Sequence, residues 1–315
     1  MKLSLKIKLL PDDQQSTLLL QTIKGANLAC NLISDIAWEK KTFQEFKLHR
    51  ASYHTAGSAT DLSSQVIIGC ISMVSDAYKL DKKVKRSFKP LGAICYDSRV
   101  LNNKPNNMVS IWAVGGRLKI PFVCRRPDYL PYIQGEADLT YRKGKFYLLQ
   151  TVEIAAEAVK DAEEFVGVDM GLVEIATLSN EKKFNFKKLT DYREKRQKIR
   201  SSHQSKCTKN AKRVLKRLSG EERTTATIIN HTISKQIVSI PRMEGKGVAI
   251  EDLKGVRRSA KKKGKKFRSR IGKWNFSRLR EFLTYKCLMS RVELVVVPPA
   301  YTSKTCHVCQ HLGNR

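Results

Sequence analysis

Along the first ten residues Leu3, Leu5, Ile7 and Leu9 alternate with Ser4, Lys6 and Lys8, the period of two expected of a half-buried strand. Pro11 and Asp12 then open a helix. Asp12 and Gln15 stand at capping-box spacing, and Leu19, Ile23, Ala26, Cys30, Ile33 and Ala37 recur at intervals of three and four. A second helix is predicted on Val66, Cys70, Met73, Ala77 and Leu80, so residues 11–82 read as a helical unit. After DKKVKRSFKP the pattern shortens. MVSIWAV and RLKIPFV flank Gly115-Gly116, and ADLTY and FYLLQTVEI flank RKGK, so each pair predicts a β-hairpin. With the first strand they predict one small β domain made of residues 1–10 and 83–154, with the helical residues 11–82 inserted into it. Residues 155–164, AAEAVKDAEE, read as a linker.

The second half opens with FVGVDMGLVEIATLSN, two apolar strands around Asp169-Met170-Gly171. Residues 181–220 hold 15 Lys+Arg against 3 acids and read as a basic helical region, followed by a helix ending near Ile240. GVAIEDL predicts a buried strand, a helix is predicted around Trp274–Ser290, and VELVVVP is a further strand before Cys306 and Cys309. No repeat of solenoid length is present.

Composition narrows the class. A chain of 315 residues with 41% apolar positions can bury a core and divide into two or three domains. It has no run of about 18 uncharged apolar residues, so no membrane partner is expected. The N-terminal stretch MKLSLKIKLLPDD is interrupted by Lys6 and Lys8 and does not read as a secretory signal, which predicts an intracellular, cytoplasmic protein. The net charge of +31, from 60 Lys+Arg against 29 Asp+Glu, calls for a polyanion, and nucleic acid is the usual one inside a cell. Most of the excess lies late in the chain, where residues 161–315 hold 36 Lys+Arg against 15 acids. From Lys254 to Arg280 there are 13 Lys+Arg and no acid, with Phe267, Trp274 and Phe276 among them. Lys254, Arg257, Arg258, Lys261, Lys262, Lys263, Lys265, Lys266, Arg268 and Arg270 are therefore candidate nucleic-acid contacts. Cations neutralise phosphates and aromatics stack on unpaired bases; Trp274 and Phe276 fit equally well as core of the following helix.

Asp169 and Glu251 carry the candidate chemistry. Each follows a continuous apolar run, FVGV or VAI, of the kind that forms a fully buried strand, and a carboxylate there must be paired or bind metal. Strand faces alternate, so only one of Glu251 and Asp252 can point where Asp169 points. Phosphodiester hydrolysis places extra negative charge on the attacking and leaving oxygens, and two divalent ions about 4 Å apart stabilise both. Mg²⁺ takes carboxylate oxygens, so Asp and Glu are the residues to expect. Cys306 and Cys309 have the spacing of one zinc knuckle, half of a four-ligand Zn²⁺ site; His311 and Cys287 stand at irregular spacing from it. Cys30, Cys70, Cys95, Cys124, Cys207 and Cys287 are isolated and read as core or surface thiols.

GVDMGLVEIATLS, the KRQKIR…CTKNAKRVLKRLSGEER…NHTISKQIV block, VAIEDLKGVR and PPAYTSKTCHVC together resemble TnpB, the transposon-encoded, RNA-guided DNA endonuclease family. DAYKLDKKVKRSFKP, RLKIPFV and GEADLTYRKGKFYLL are also similar. The resemblance implies an α+β / α/β multidomain protein: a wedge β-barrel (1–10 and 83–154) with a helical recognition insertion (11–82), a RuvC-like nuclease domain of RNase H fold (165–300), and the first half of a zinc ribbon (301–315). It implies that Asp169 and Glu251 are two of three catalytic carboxylates holding two Mg²⁺ ions, and that Cys306 and Cys309 are half of a Zn²⁺ site. Guide RNA from the transposon end and target DNA would be the partners, in a prokaryotic cytoplasm on the nucleoid. The family's second CxxC and third carboxylate do not occur before Arg315, so for these 315 residues the resemblance implies weak or no cleavage. A non-cleaving guided DNA-binding protein and a generic basic RNA-binding protein are the competing expectations.

Overall fold

The computed structural model describes residues 1–155, 158–171, 174–185, 187–253, 264 and 276–298. The chain divides into two compact units, Met1–Ala155 and Ala156–Arg315.

In the first unit, strand β1 (Lys2–Leu9) is followed by helices α1 (Asp13–Glu39), α2 (Glu45–Ser58) and α3 (Ser64–Leu80). Strands β2 (Ile94–Tyr96), β3 (Leu101–Lys104), β4 (Met108–Ala113), β5 (Gly116–Cys124), β6 (Ile133–Arg142) and β7 (Lys145–Glu153) complete it. The sheet order is β2-β6-β7-β1-β5-β4-β3, antiparallel throughout. Its edge strand β2 comes round to the far side of the sheet, where Tyr96 at its end donates its hydroxyl to Trp112 O on β4, the strand next to the opposite edge, at 2.9 Å. The result is a near-closed antiparallel sheet. β1 is central to it, with Ile7 facing Cys124 on one side and Leu148 on the other. Leu5, Ile7 and Leu9 bury on one face and share a core with Leu19, Ile23, Cys30 and Ile33 of α1.

The capping box forms: Asp12 Oδ1 accepts from Gln15 N at 2.7 Å, and Asp12 N donates to Gln15 Oε1 at 3.3 Å. All six predicted apolar positions of α1 are buried. For α3 the predicted stripe is rotated. Val66 and Cys70 are buried, but Ile67, Ile71, Val74 and Tyr78 complete the face, while Leu80 is 86% exposed. Two adjacent apolar diagonals, 66-70-74-78 and 67-71, fit the core together, and an apolar residue at the helix end then falls outside the contact. Helix α2 was not expected. It buries Leu48, Ser52 and Ala56 at successive intervals of four, a stripe of mostly small residues with little periodic hydropathy.

In the second unit the order is β8 (Phe165–Asp169), β9 (Glu174–Leu178), β10 (Lys183–Asn185), α4 (Lys187–Lys206), α5 (Lys209–Glu244), β11 (Gly247–Glu251), α6 (Phe276–Met289) and β12 (Leu294–Val297). The sheet runs β10-β9-β8-β11-β12; β8, β11 and β12 are mutually parallel, and β9 and β10 antiparallel. Thr208 Oγ1 caps α5 by accepting from Ala211 N at 3.1 Å, and the helix ends at Gly245, whose φ of 69° suits a residue without Cβ. It therefore runs four residues past the predicted end at Ile240.

Val166, Val168, Val248 and Ile250 bury against Ile233, Ile237 and Val238 of α5 and against Leu279, Leu283 and Cys287 of α6. The runs FVGV and VAI were expected to be buried on both faces. Instead β8 alternates, with Val166 and Val168 at 4% and 3% exposure between more open Phe165, Gly167 and Asp169. Glycine and alanine on the other face extend the apolar run of the sequence without filling space above the sheet.

A polar clamp holds α6 to α5. Lys286 Nζ donates to His231 O and to Ser234 Oγ, both at 2.6 Å, and the His231 ring stacks on Phe282 at 3.9 Å between centroids. Burial and then the charges of Lys286 and Arg278 lower the His231 pKa. A lowered histidine pKa contributes stability above its ordinary value of about 6.5 and loses it as pH falls below that value. The melting temperature should fall on acidification from neutral pH, and less so in His231→Phe. For the core, Ile71→Ala should cost about 2–5 kcal/mol in denaturant unfolding, whereas Leu80→Ala should stay within about 0.5 kcal/mol. The reverse order would mean that α3 presents the other face.

Candidate metal centre

Parallel pairing sets Val168 opposite Ile250. Asp169 and Glu251 are the next residues of their strands, so both acids stand at the carboxyl ends of neighbouring parallel strands, whose axes lie about 4.8 Å apart. That edge is where ligands enter open α/β sheets. Both side chains occupy the sheet face opposite the α5–α6 core. Together with Gly167, Thr177, Ser179, Ala249 and Val297 they line a hollow of about 350 Å³. Its floor is kept low by the facing pair Gly167 and Ala249. Asp169 is exposed and Glu251 half-buried.

Glu251 also borders a second hollow of about 520 Å³, between the strand ends and α6, with Met170, Leu253, Arg280 and Tyr285 in its wall. Asp252 turns the other way: Arg280 Nη1 of α6 donates to its Oδ1 at 2.7 Å, and Asp252 N donates to Val297 O at 2.8 Å. The two neighbouring acids are thus divided, Glu251 toward the hollow shared with Asp169 and Asp252 into an ion pair that ties β11 to α6 and β12. Asp252 is a structural participant that sequence reasoning left without a role.

Gly171 makes the turn after Asp169 possible. A Cβ there would lie 2.9 Å from the Glu174 carbonyl oxygen, a backbone atom that cannot swing aside. Gly247 likewise starts β11 against the Phe165 ring, which a Cβ would overlap.

Among the described residues no group of three or more His, Cys, Asp or Glu is gathered as a metal cluster. Lys254, Arg257, Arg258, Lys261, Lys262, Lys263, Lys265, Lys266, Arg268 and Arg270 lie outside the described residues, as do Phe267, Trp274, Cys306, Cys309 and His311. Cys287 is buried in the α6 core, where burial pushes its thiol pKa up to about 12. Cys30, Cys70, Cys95, Cys124 and Cys207 are also free thiols. Among the described residues no helix is long and apolar enough to cross a membrane.

Residues 276–315 match the family model described as Cas12f1-like, TNB domain. The chain is 34% identical over 119 residues to the TnpB-like protein MJ0751 of Methanocaldococcus jannaschii, a match covering 38% of this chain and 42% of that protein. Over that stretch the chain is similar to the TnpB family. A second relative is the CRISPR-associated endodeoxyribonuclease Cas12f2 of a Micrarchaeota archaeon, 28% identical over 185 residues, or 53% of this chain and 33% of that one. The chain thus spans less than half the length of either curated relative. Its fold is similar to that of Cas12f1 in the cryo-EM structure of a Cas12f1–sgRNA–target DNA complex. The TM-score is 0.64 at 14% identity, covering 96% of this chain and 76% of that one.

The Gly171 geometry is directly testable. Gly171→Ala should lower stability by about 1–3 kcal/mol, since the turn must move to relieve a backbone clash. An unchanged unfolding curve would show that the turn relaxes freely.

Proposed function

We propose that this chain is a TnpB-family, RNA-guided DNA-binding protein whose second unit is a RuvC-like nuclease domain, with Asp169 and Glu251 as metal-holding carboxylates. The single observation that carries the reading is the register. The pairing of Val168 with Ile250 sends two acids, about eighty residues apart in sequence, to the same edge and the same face of one sheet. A solvated turn aspartate and a solvated Glu-Asp pair would have no reason to share a hollow floored by Gly167 and Ala249.

The donor chemistry suits Mg²⁺, which takes carboxylate oxygens and keeps several waters. The hollow leaves room for those waters, and Thr177 and Ser179 add hydroxyls to its rim. Asp169 and Glu251 would hold the metal. Bound there, it would supply Lewis-acid stabilisation of the charge that develops on phosphodiester oxygens. The protein's own contribution is positional. Gly171 aims the turn after Asp169, strand alternation turns Glu251 toward the hollow, and Arg280 holds Asp252 on the other side. The basic excess of residues 161–315 supports a role for this half in neutralising the phosphates of a guide RNA and a DNA target, base pairing supplying the sequence reading. By the family resemblance, Cys306 and Cys309 would contribute to a Zn²⁺ site, and the guide would come from the transposon end.

The test is a gel-shift of the 315-residue chain with a guide RNA and matching or mismatched DNA duplexes, with Mg²⁺-dependent cutting read in parallel. Retention that depends on guide and match is expected, and whatever cutting occurs should fall to background in Asp169→Asn and in Glu251→Gln with retention kept. Binding without guide or match preference at raised salt would instead make it a general basic RNA-binding protein. Cutting that survives both substitutions would remove the two carboxylates from the site.

A further inference from the structure

The segment DKKVKRSFKP leads from α3 to β2 and contains no helix or strand, yet its backbone is held by side chains from the helical core. Asn31, on α1, binds Phe88 at both ends: its Nδ2 donates to Phe88 O at 2.9 Å and its Oδ1 accepts from Phe88 N at 2.7 Å. Ser34 Oγ donates to Arg86 O at 2.7 Å, while Arg86 N donates to the Tyr78 hydroxyl at 3.2 Å, which itself lies 2.9 Å from Ser34 Oγ. Asn27 Nδ2 donates to Gly92 O at 3.1 Å. Asn27, Asn31 and Ser34 form one stripe of α1, and Asn27, Ser34 and Tyr78 are no more than 1% exposed.

Burying such groups costs free energy that only complete hydrogen bonding offsets. Here most of that hydrogen bonding goes to one extended stretch of main chain; Asn27 Nδ2 also donates to Ile23 O, and Asn27 Oδ1 is left without a partner. Both backbone groups of Phe88 and the carbonyl of Arg86 bond side chains of α1, and the Arg86 N–H bonds Tyr78 of α3, so alternate residues turn their main chain toward the helices as in an extended chain. Exposure alternates accordingly, with 85, 87 and 89 outward and 86 and 88 half-buried. What the stretch presents is cationic. Lys82, Lys83 and Lys89 are exposed and form no ion pair among the described residues, while Lys85 pairs with Asp35 at 2.8 Å and Arg86 reaches back to Asp81. An ordinary solvated charge run has no need of a buried ladder to fix its backbone.

We propose that residues 82–89 form a pre-set rail for the phosphate backbone of a nucleic-acid strand, with Lys82, Lys83 and Lys89 as its phosphate contacts. Fixing the backbone in advance removes the ordering cost that a flexible basic segment meets on binding. Contacts of this kind hold and orient a strand without reading its bases. The choice of nucleic acid as the polyanion rests on the function proposed above; the rail itself rests on the ladder and its charges.

The experiment measures binding of the full chain, without guide, to a mixed-sequence single-stranded oligonucleotide across a salt series. In Lys82→Gln/Lys83→Gln/Lys89→Gln the dependence of log K on log salt should become shallower by about 2, since each single-strand phosphate contact contributes about 0.7 to the slope. These side chains are exposed, so the melting temperature should not change. Asn31→Ala keeps every cation and should bind about tenfold more weakly, as freed backbone must be ordered on binding. An unchanged slope in the triple variant overturns the rail. An unchanged affinity in Asn31→Ala reduces it to a plain charge run and overturns the pre-setting. Loss of binding to the oligonucleotide but not to anionic phospholipid vesicles in the triple variant supports nucleic acid, and the converse overturns it. A shallower slope in a chain that shows no guide dependence leaves the rail standing and removes the guided reading.

Discussion

The parallel register between β8 and β11 is the constraint on which the candidate centre depends. Val166 opposite Val248 and Val168 opposite Ile250 bury a continuous apolar strip under α5 and α6. A one-residue slip would turn that strip outward and send the acids to the wrong face. Burial therefore holds Asp169 and Glu251 side by side, and neither carboxylate needs to contribute to folding for the site to be built. Small residues complete the arrangement: glycine and alanine on the opposite face leave a hollow where larger side chains would close it.

Around that strip, polar interactions do selective tasks. Arg280 and Asp252 are both partly exposed, so as an ion pair they add little to stability. Their consequence is local, since they give Asp252, which strand alternation turns away from Asp169, a partner on α6. Lys286, bound to His231 O and Ser234 Oγ, fixes α6 along α5 and so the helix that carries Arg280. In the first unit Asn27, Asn31 and Ser34 impose an extended course on a basic segment that forms no strand ladder. In each case a side chain of a well-packed helix determines the course of less regular backbone.

Legibility in the sequence followed the strength of the local signal. The capping box of α1, its six buried positions and the two hairpins were readable because capping and alternation act between residues near in sequence. Helix α2 was hidden because serine and alanine bury well but carry little hydropathy, and β10 because three residues are too few to show a period. The face of α3 was misjudged because several apolar residues compete for the core and only contact decides among them. The FVGV run misled in another way, since glycine counts as apolar in a string and as open space in a sheet.

The sequence by itself determined the longer, strongly periodic elements, the large positive charge, the two acids after apolar runs and the resemblance to TnpB, because each is a matter of composition, short-range period or motif. Only the tertiary structure decided that Asp169 and Glu251 share one face of one sheet, that Asp252 pairs with Arg280, and that a polar stripe of α1 holds residues 86–92. Those outcomes depend on strand register and on contacts between residues tens of positions apart, which no local pattern encodes.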